Sequence, residues 1–339
     1  MSAKKFSTFR DHRLCLPPKP RKDLPLALDL FAGCGGLALG LECAGFETEG
    51  VEMNEAAAET YRTNLHGACK TAELAVGFDY PSDVAVVVGG PPCQPFSVGG
   101  LQAGPRDSRD GFPIFIDAVE RLNPKVALFE NVRGMLFRNR RYLEQILEEL
   151  RALGYTVGWR ILDAWEFGAP QHRERLIVVA SKVAWEWPIP LALRDRFTAG
   201  DAVIDLVNEI PSNAKFLTAS MDAYVEKYER ASKCKTPRDL HLDRPSRTLT
   251  CRNLNGATGD MMRVRLPDGR RRRVTVAEAA RLQSFPDWFR FSGSEGDAFN
   301  QIGNSVAPLF AFAIGSALLA AYSGKCSRQE LTEETLFTA

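Results

Sequence analysis

The chain has no Cys-x-x-Cys pair; its eight cysteines are irregularly spaced, so neither a zinc site nor a compact disulfide framework is signalled. They read as mostly reduced, intracellular thiols. No run of roughly 18 uninterrupted apolar residues occurs, and no apolar segment follows the lysines at the N-terminus, so neither a membrane span nor a secretion signal is expected. A cytoplasmic protein without a membrane partner is the corresponding expectation. Charge of neither sign is in excess: 43 Lys and Arg against 42 Asp and Glu leave a formal net charge of +1. That balance neither favours nor excludes a nucleic-acid partner, because a basic face can be offset by acidic surface elsewhere. Present instead is an ordinary globular composition, 45% hydrophobic over 339 residues, enough for one large domain and one small one.

Residues 1–24 are polar and proline-rich, which suits an extended N-terminal arm better than a packed element. From Leu26 the pattern changes. Leu26–Phe31, Thr48–Glu52, Val84–Val88, Val126–Phe129 and Leu176–Ala180 read as strands, with a helix from Gly36 and another over Glu55–Asn64 between the first of them. Pro113 fits the first turn of a helix running to Leu122, and Tyr142–Leu153 carries helical spacing up to Gly154. This βαβ rhythm predicts an α/β fold, a doubly wound and mostly parallel sheet covered on both faces, over residues 25–185. After Trp185 the rhythm breaks. Residues 186–260 show no regular periodicity, and a smaller, irregular domain is expected over 186–295. Within it, Pro267-Asp268-Gly269 makes a turn between Arg263/Arg265 and the run Arg270–Arg273, a basic ribbon of a kind that enters a DNA groove. Over 296–322 the chain is expected to return, with Phe310–Tyr322 a helix on the first domain, and 323–339 is a tail.

Three groups of residues carry chemistry. Asp29-Leu-Phe-Ala-Gly-Cys-Gly-Gly follows the first strand and opens the first helix, where glycines admit close approach of a ligand. Its spacing, Gly33-x-Gly35-Gly36, is not the G-x-G-x-x-G of dinucleotide enzymes, yet Glu52 ends the second strand where a ribose is held. Gly89-Gly90-Pro91-Pro92-Cys93-Gln94 follows the third run and places a thiol at the carboxyl edge of the sheet. A cysteine alone is more often a small buried hydrophobe than a nucleophile. Here Glu130-Asn131-Val132 and Gln171-His172-Arg173-Glu174-Arg175 arrive at neighbouring strand ends, so a thiol, a carboxylate and two guanidiniums are expected in one cleft.

With these blocks in order, together with Asp107-Ser-Arg-Asp-Gly, Arg247-Thr-Leu-Thr and Gly303-Asn304-Ser305-Val306, the chain resembles the DNA (cytosine-5) methyltransferase family of bacterial restriction-modification type, from about Leu26 to Tyr322. The resemblance is weakest between about 186 and 240. It implies a class I S-adenosylmethionine-dependent methyltransferase domain, a small target-recognition domain and double-stranded DNA in the cleft between them. Cys93 matches the nucleophile that adds to carbon 6 of a flipped cytosine, making carbon 5 reactive toward the methyl group. Glu130 matches the carboxylate that hydrogen-bonds the ring, Arg175 the group that grips the carbonyl oxygen, and Arg173 a residue that orients the site. For S-adenosylmethionine, leaving as S-adenosylhomocysteine, the resemblance implies Asp29, Phe31, Gly33, Gly35, Gly36, Glu52 at the ribose, Met53 on the adenine, Pro92, Asn304 and Val306. Either Glu73 or Asp79 would take the adenine amine. No metal is expected.

DNA contacts are expected from Gln94, from Ser97 and Arg109 on the glycine-rich segment after the nucleophile, and from Arg252, Arg263, Arg265, Arg270, Arg271, Arg272 and Arg273. Charge runs are more often solvated faces than readers of bases. A tRNA cytosine-5 methyltransferase and a non-catalytic DNA-binding relative are the alternatives; the presence of both Cys93 and Glu130 opposes the second, and the basic ribbon opposes the first. An amino-group methyltransferase would carry Asp/Asn-Pro-Pro-aromatic where this chain has Gly-Pro-Pro-Cys. The expected working unit is a monomer, paired functionally with a restriction endonuclease without a stable complex.

Overall fold

A computed structural model describes residues 9, 12, 14–19, 23–92, 110–212, 214–231, 238–256 and 259–331. The expected nucleophile Cys93 and the expected DNA contacts Gln94, Ser97 and Arg109 lie outside the described residues. Seven strands form one sheet: β1 (Leu26–Leu30), β2 (Glu47–Glu52), β3 (Ala68–Thr71), β4 (Val84–Gly89), β5 (Val126–Val132), β6 (Thr156–Asp163) and β7 (Glu174–Ser181), in the order β3-β2-β1-β4-β5-β7-β6. All neighbours are parallel except β7, which runs antiparallel to both β5 and β6. The chain between β6 and β7 is too short for a helical crossover, so an antiparallel pairing follows. Along β4 every residue is buried, as a central strand covered on both faces requires. β3 and β6 were not expected. They form the two edges of the sheet, where partial exposure replaces the apolar run by mixed sequence: only Cys69 of β3 is buried.

Helices α1 (Gly36–Ala44), α2 (Glu55–Asn64), α3 (Phe112–Leu122), α4 (Met135–Arg138) and α5 (Arg140–Ala152) connect the strands. Alternation along the strands sends Leu28, Leu30 and Val87 into a core with α3 and α5, while Ala27, Val86 and Val88 meet α1 on the opposite face. After α6 (Ala199–Asn208), α7 (Ala219–Ala231), α8 (Cys251–Asn255), β8 (Arg263–Arg265), β9 (Arg271–Arg273), α9 (Val276–Leu282) and α10 (Glu295–Asn304), the last regular element among the described residues is α11 (Pro308–Tyr322). α11 lies against α1. Their backbones are so close that a Cβ on Gly40 would stand 2.4 Å from the Phe312 nitrogen.

Two expectations do not hold. Residues 186–260 are not devoid of regular elements: α6 begins at a capping box between Thr198 and Asp201, and α7 runs for 13 residues. Of the helically spaced Met221, Tyr224, Val225 and Tyr228 on α7, only Val225 is buried. The N-terminal arm is also packed where it is described. Phe9, His12 and Leu14 are buried, Phe9 stands edge-on to Phe197, and the Trp288 indole donates to the Leu14 carbonyl at 2.9 Å. One core joins these residues to Leu39 and Tyr61 of the sheet domain and to Leu249, Phe285 and Phe299. Among the described residues, no single helix is long and apolar enough to cross a membrane.

Candidate active site

β1 ends in a turn built from three left-handed residues: Phe31 at φ 60, Gly33 at φ 56 and Gly35 at φ 86. Two are glycine, which enters this region freely; Phe31 does so at a cost of about 1–2 kcal/mol. The glycines have different reasons. A Cβ at Gly35 would stand 2.6 Å from Leu65, and one at Gly36 would stand 2.5 Å from the Val306 carbonyl oxygen, whereas Gly33 faces open space. Gly36 therefore lets the 303–306 block lie against the turn, and Gly33 leaves room for a ligand. The Glu52 carboxylate accepts from the backbone N–H of Gly33 at 2.9 Å and of Asn54 at 2.7 Å. Below it Asp29 is fully buried, with one carboxylate oxygen unpartnered; burial, then the charge of Glu52, holds its proton affinity well above the usual carboxylate range.

This arrangement fits the cofactor that the sequence implies. The turn presents an open glycine, an orphaned buried carboxyl and a fixed acidic end of β2 at the carboxyl edge of the sheet. Met53 is exposed beside Glu52. Glu73 and Asp79 are both exposed, and no contact among the described residues distinguishes them. Asn304 turns its side chain toward the small domain, where its Oδ1 accepts from the Cys251 thiol at 2.8 Å.

Glu130 and Arg175 meet at the neighbouring ends of β5 and β7. Glu130 Oε1 lies 2.6 Å from Arg175 Nε, with both side chains largely buried. Gly90, in the turn after β4, faces this pair: a Cβ there would stand 3.9 Å from Glu130 Oε2. Asn131, which the sequence reading passed over, donates through Nδ2 to the Pro91 carbonyl at 3.0 Å. Gly111 N–H donates to the Pro92 carbonyl at 3.0 Å. The Pro-Pro segment is thus tied to β5 on one side and to the start of α3 on the other.

Arg173 is buried and does not reach the Glu130 pair. Its guanidinium donates to the carbonyls of Leu249 at 2.8 Å and Gly303 at 3.1 Å. Burial, then repulsion from Arg175, lowers its pKa to about 9, with Glu130 opposing; the group remains a cation at neutral pH. Gln171 accepts from the Leu249 N–H at 3.1 Å. These bonds join the start of β7 to the segment before α8 and to the end of α10. Beside them Val132, Asp163, His172, Arg175 and Thr248 line a cavity of about 420 Å³. His172 Nδ1 is held by Asp163 at 2.6 Å.

The basic ribbon forms, β8 pairing antiparallel with β9, but most of it does not face outward. Arg263 and Arg272 are 0% exposed. Arg263 is held by Glu229 and Asp239, both at 2.6 Å, and Arg272 by Glu278 at 2.6 Å. Arg271 is buried against Asp222 at 2.6 Å. The expectation that these three meet DNA is therefore corrected: their charges are spent inside the small domain, as burial of a guanidinium demands. Arg273 is half-buried, donating to the Leu254 carbonyl and lying over the Phe299 ring. Arg265, Arg270 and Arg252 remain exposed. Among the described residues, no group of three His, Cys, Asp or Glu is placed to hold a metal.

A seven-stranded sheet in this order, with a glycine turn after β1 and an acidic end to β2, is the class I S-adenosylmethionine-dependent methyltransferase fold. The family described as C-5 cytosine-specific DNA methylase matches residues 27–320, and the chain belongs to it: it is a DNA cytosine-5 methyltransferase. Type II methyltransferase M.AplI of Arthrospira platensis is 58% identical over 303 residues, 89% of this chain and 88% of that protein. Type II methyltransferase M.Eco47II of Escherichia coli is 33% identical over 333 residues, 86% of this chain and 78% of that one. Among solved structures, S. pombe Dnmt2 methyltransferase shares the fold at a TM-score of 0.68 and 21% identity, covering 87% of this chain and 98% of its own.

Proposed function

We propose that the cleft bordered by Gly90, Glu130 and Arg175 takes a cytosine flipped out of double-stranded DNA and activates it by covalent addition. The Cys93 thiolate adds to carbon 6, placing an electron pair on the ring; Glu130 hydrogen-bonds nitrogen 3 and the exocyclic amine as that charge develops, and Arg175 donates to the carbonyl oxygen. S-adenosylmethionine, when bound, supplies an electrophilic methyl group for carbon 5. Loss of the carbon 5 proton to a base then expels Cys93 as thiolate and restores the aromatic ring, so one methyl enters and one proton leaves. Arg173 acts through Leu249 and Gly303, holding the small domain in register with the cleft.

The cofactor residues follow from the turn: Asp29, Phe31 and the backbone of Gly33, Gly35 and Gly36 at the methionine end, Glu52 at the ribose, Met53 at the adenine, with Glu73 or Asp79 at its amine. Pro92, Asn304 and Val306 are assigned to the same site, Asn304 through its backbone, since its side chain is engaged with Cys251. Modification of host DNA against a restriction endonuclease, by a monomer in a bacterial cytoplasm, is the physiological setting proposed.

The observation that carries this reading is the 2.6 Å Glu130–Arg175 pair at adjoining strand ends, beside a Pro-Pro segment anchored by Asn131. Covalent trapping tests it: duplex DNA containing 5-fluorocytosine, incubated with the protein and S-adenosylmethionine, yields a denaturant-resistant adduct that Cys93→Ser abolishes. An adduct that survives Cys93→Ser, or none with the native chain, overturns it.

A further inference from the structure

We propose that a cavity in the small domain, walled by Tyr224, Tyr228 and Arg252, reads base-pair edges next to the target cytosine, with Arg252 the guanine-reading group. This rests on the reading above, in which duplex DNA delivers a cytosine to Glu130 and Arg175.

The cavity holds about 390 Å³ and is lined by Ser220, Met221, Tyr224, Tyr228, Arg252 and Asp260. Tyr224 and Tyr228 lie one helical turn apart on α7, their rings stacked with centroids 6.4 Å apart and planes at 18°. α7 buries only Val225, and Tyr224 is 52% exposed, so Tyr224 is a presented surface beside a half-buried Tyr228. Gly259 closes on it, with room for a Cβ only 3.1 Å from the Tyr228 ring. The Arg238 guanidinium lies over the Tyr228 ring, 4.9 Å from its centroid.

Charge in the cavity is unequally shared. Asp260 is held by Arg238 at 2.8 Å and by Arg247 at 2.9 Å. Arg252 stands 4.0 Å from it, with its side chain 78% exposed. Asp260 is thus already engaged by two guanidiniums from outside the cavity lining, and Arg252, the arginine of that lining, can turn to a ligand without breaking a tight pair. A projecting guanidinium donates bidentately to guanine O6 and N7, and an aromatic or apolar wall meets a thymine methyl. A phosphate would use the charge but leave the tyrosine pair without a role.

Position relative to the chemistry supports base reading. Arg252 lies on α8, and α8 is fixed to the catalytic domain: Arg173 holds the Leu249 carbonyl, and Gly303 approaches so closely that a Cβ on it would stand 2.4 Å from the Cys251 nitrogen. Thr248 lines the cavity that contains Arg175. The chain from Thr248 to Arg252 spans at most roughly 14 Å, about four base-pair steps. Rigid coupling at that distance is what places a read base at a fixed step from the methylated one.

The test begins by sequencing methylated cytosines in DNA from a bacterial host expressing the native chain, which defines its site. Duplex oligonucleotides carrying each single base-pair replacement in that site are then compared for kcat/KM with the native chain, Arg252→Ala, Tyr224→Ala and the conservative Tyr224→Phe. The expected result is a loss of roughly 10- to 100-fold on the native site for Arg252→Ala, with discrimination collapsing at one G·C position and the salt dependence of DNA affinity unchanged. Tyr224→Ala relaxes an adjoining position and Tyr224→Phe restores it. A uniform loss at every sequence with a salt slope reduced by about one makes Arg252 a phosphate contact and overturns the proposal. An unchanged site preference in both alanine variants overturns it as well. Retained S-adenosylmethionine binding by calorimetry identifies the variants as folded. If the native chain methylates no cytosine, the enzymatic reading itself fails; if it does and the variants read the same site, only this proposal fails.

Discussion

Glu130 and Arg175, to which the proposed mechanism gives the flipped base, meet in a single contact although they stand 45 positions apart in the chain. Removing the guanidinium with Arg175→Ala is expected to lower kcat by roughly 10²- to 10³-fold, the cost of losing one preorganised donor. Single-turnover methyl transfer measures it, and S-adenosylmethionine affinity is expected to stay unchanged. Arg175→Lys does not rescue, since a point charge does not reproduce the guanidinium fork. A second residue sets a pH dependence. His12 is buried and its pKa is lowered to about 4, by burial first, with Asp287 opposing. In the unfolded chain the imidazole gains a proton near its ordinary value of about 6.5; in the folded chain it does not until about 4. Between these values the unfolded state binds more protons, so stability is present above about 6.5 and falls as the pH drops toward 4. The full loss is roughly 3 kcal/mol. Urea unfolding at pH 7 and pH 5 measures the slope, which His12→Leu is expected to flatten.

Helices α1 and α11 meet where Gly40 touches the backbone of Ala311 and Phe312, with a would-be Cβ 2.4 Å from the nearest atoms. Gly40→Ala forces the helices apart and is expected to destabilise by about 1–3 kcal/mol, read as a lower urea midpoint at unchanged m value. In the β8–β9 hairpin, Arg272 forms a wholly buried pair with Glu278 at 2.6 Å. Arg272→Met leaves that carboxylate buried without its partner and is expected to cost about 3–5 kcal/mol. Calorimetric unfolding checks it; a variant as stable as the native chain would return Arg272 to the list of DNA contacts.

Across the whole molecule the net charge of +1 leaves DNA attraction to local imbalance. Most arginines of the ribbon are neutralised by Asp and Glu of the same domain, so they add little to the counterion term. Arg270 is paired only locally, with Asp268 of the same turn at 2.7 Å, and stays exposed over the Phe216 ring. Arg270→Gln is expected to change stability by less than about 0.5 kcal/mol while lowering the slope of log affinity against log salt by about 0.9. DNA binding measured over a salt series separates it from Arg272, and an unchanged slope would move the phosphate-facing surface elsewhere.

The apolar runs of β1, β4, β5 and β7 and the glycine, proline and charged blocks at their ends were legible in the sequence, because central strands are buried on both faces and the chemistry gathers at their carboxyl edge. The edge strands β3 and β6 were not, since half-exposed strands carry no continuous apolar signal. Nor was α7, of whose helically spaced Met221, Tyr224, Val225 and Tyr228 only Val225 is buried. Within the candidate site, Glu130, Arg175 and Glu52 stand in the order that the motifs imply, whereas Asn131 emerged only from its bond to Pro91. The arginine ribbon differs in kind. Arg263 finds its partners 34 and 24 residues away, in Glu229 and Asp239, and spacing along the chain does not reveal whether such partners converge. Local pattern by itself determined the central strands, the glycine turn after β1 and the residue types at the strand ends that border the candidate site. Which charges face DNA and which are consumed inside the protein was decided only by tertiary structure, because desolvating a guanidinium is tolerable only where folding delivers a carboxylate to it.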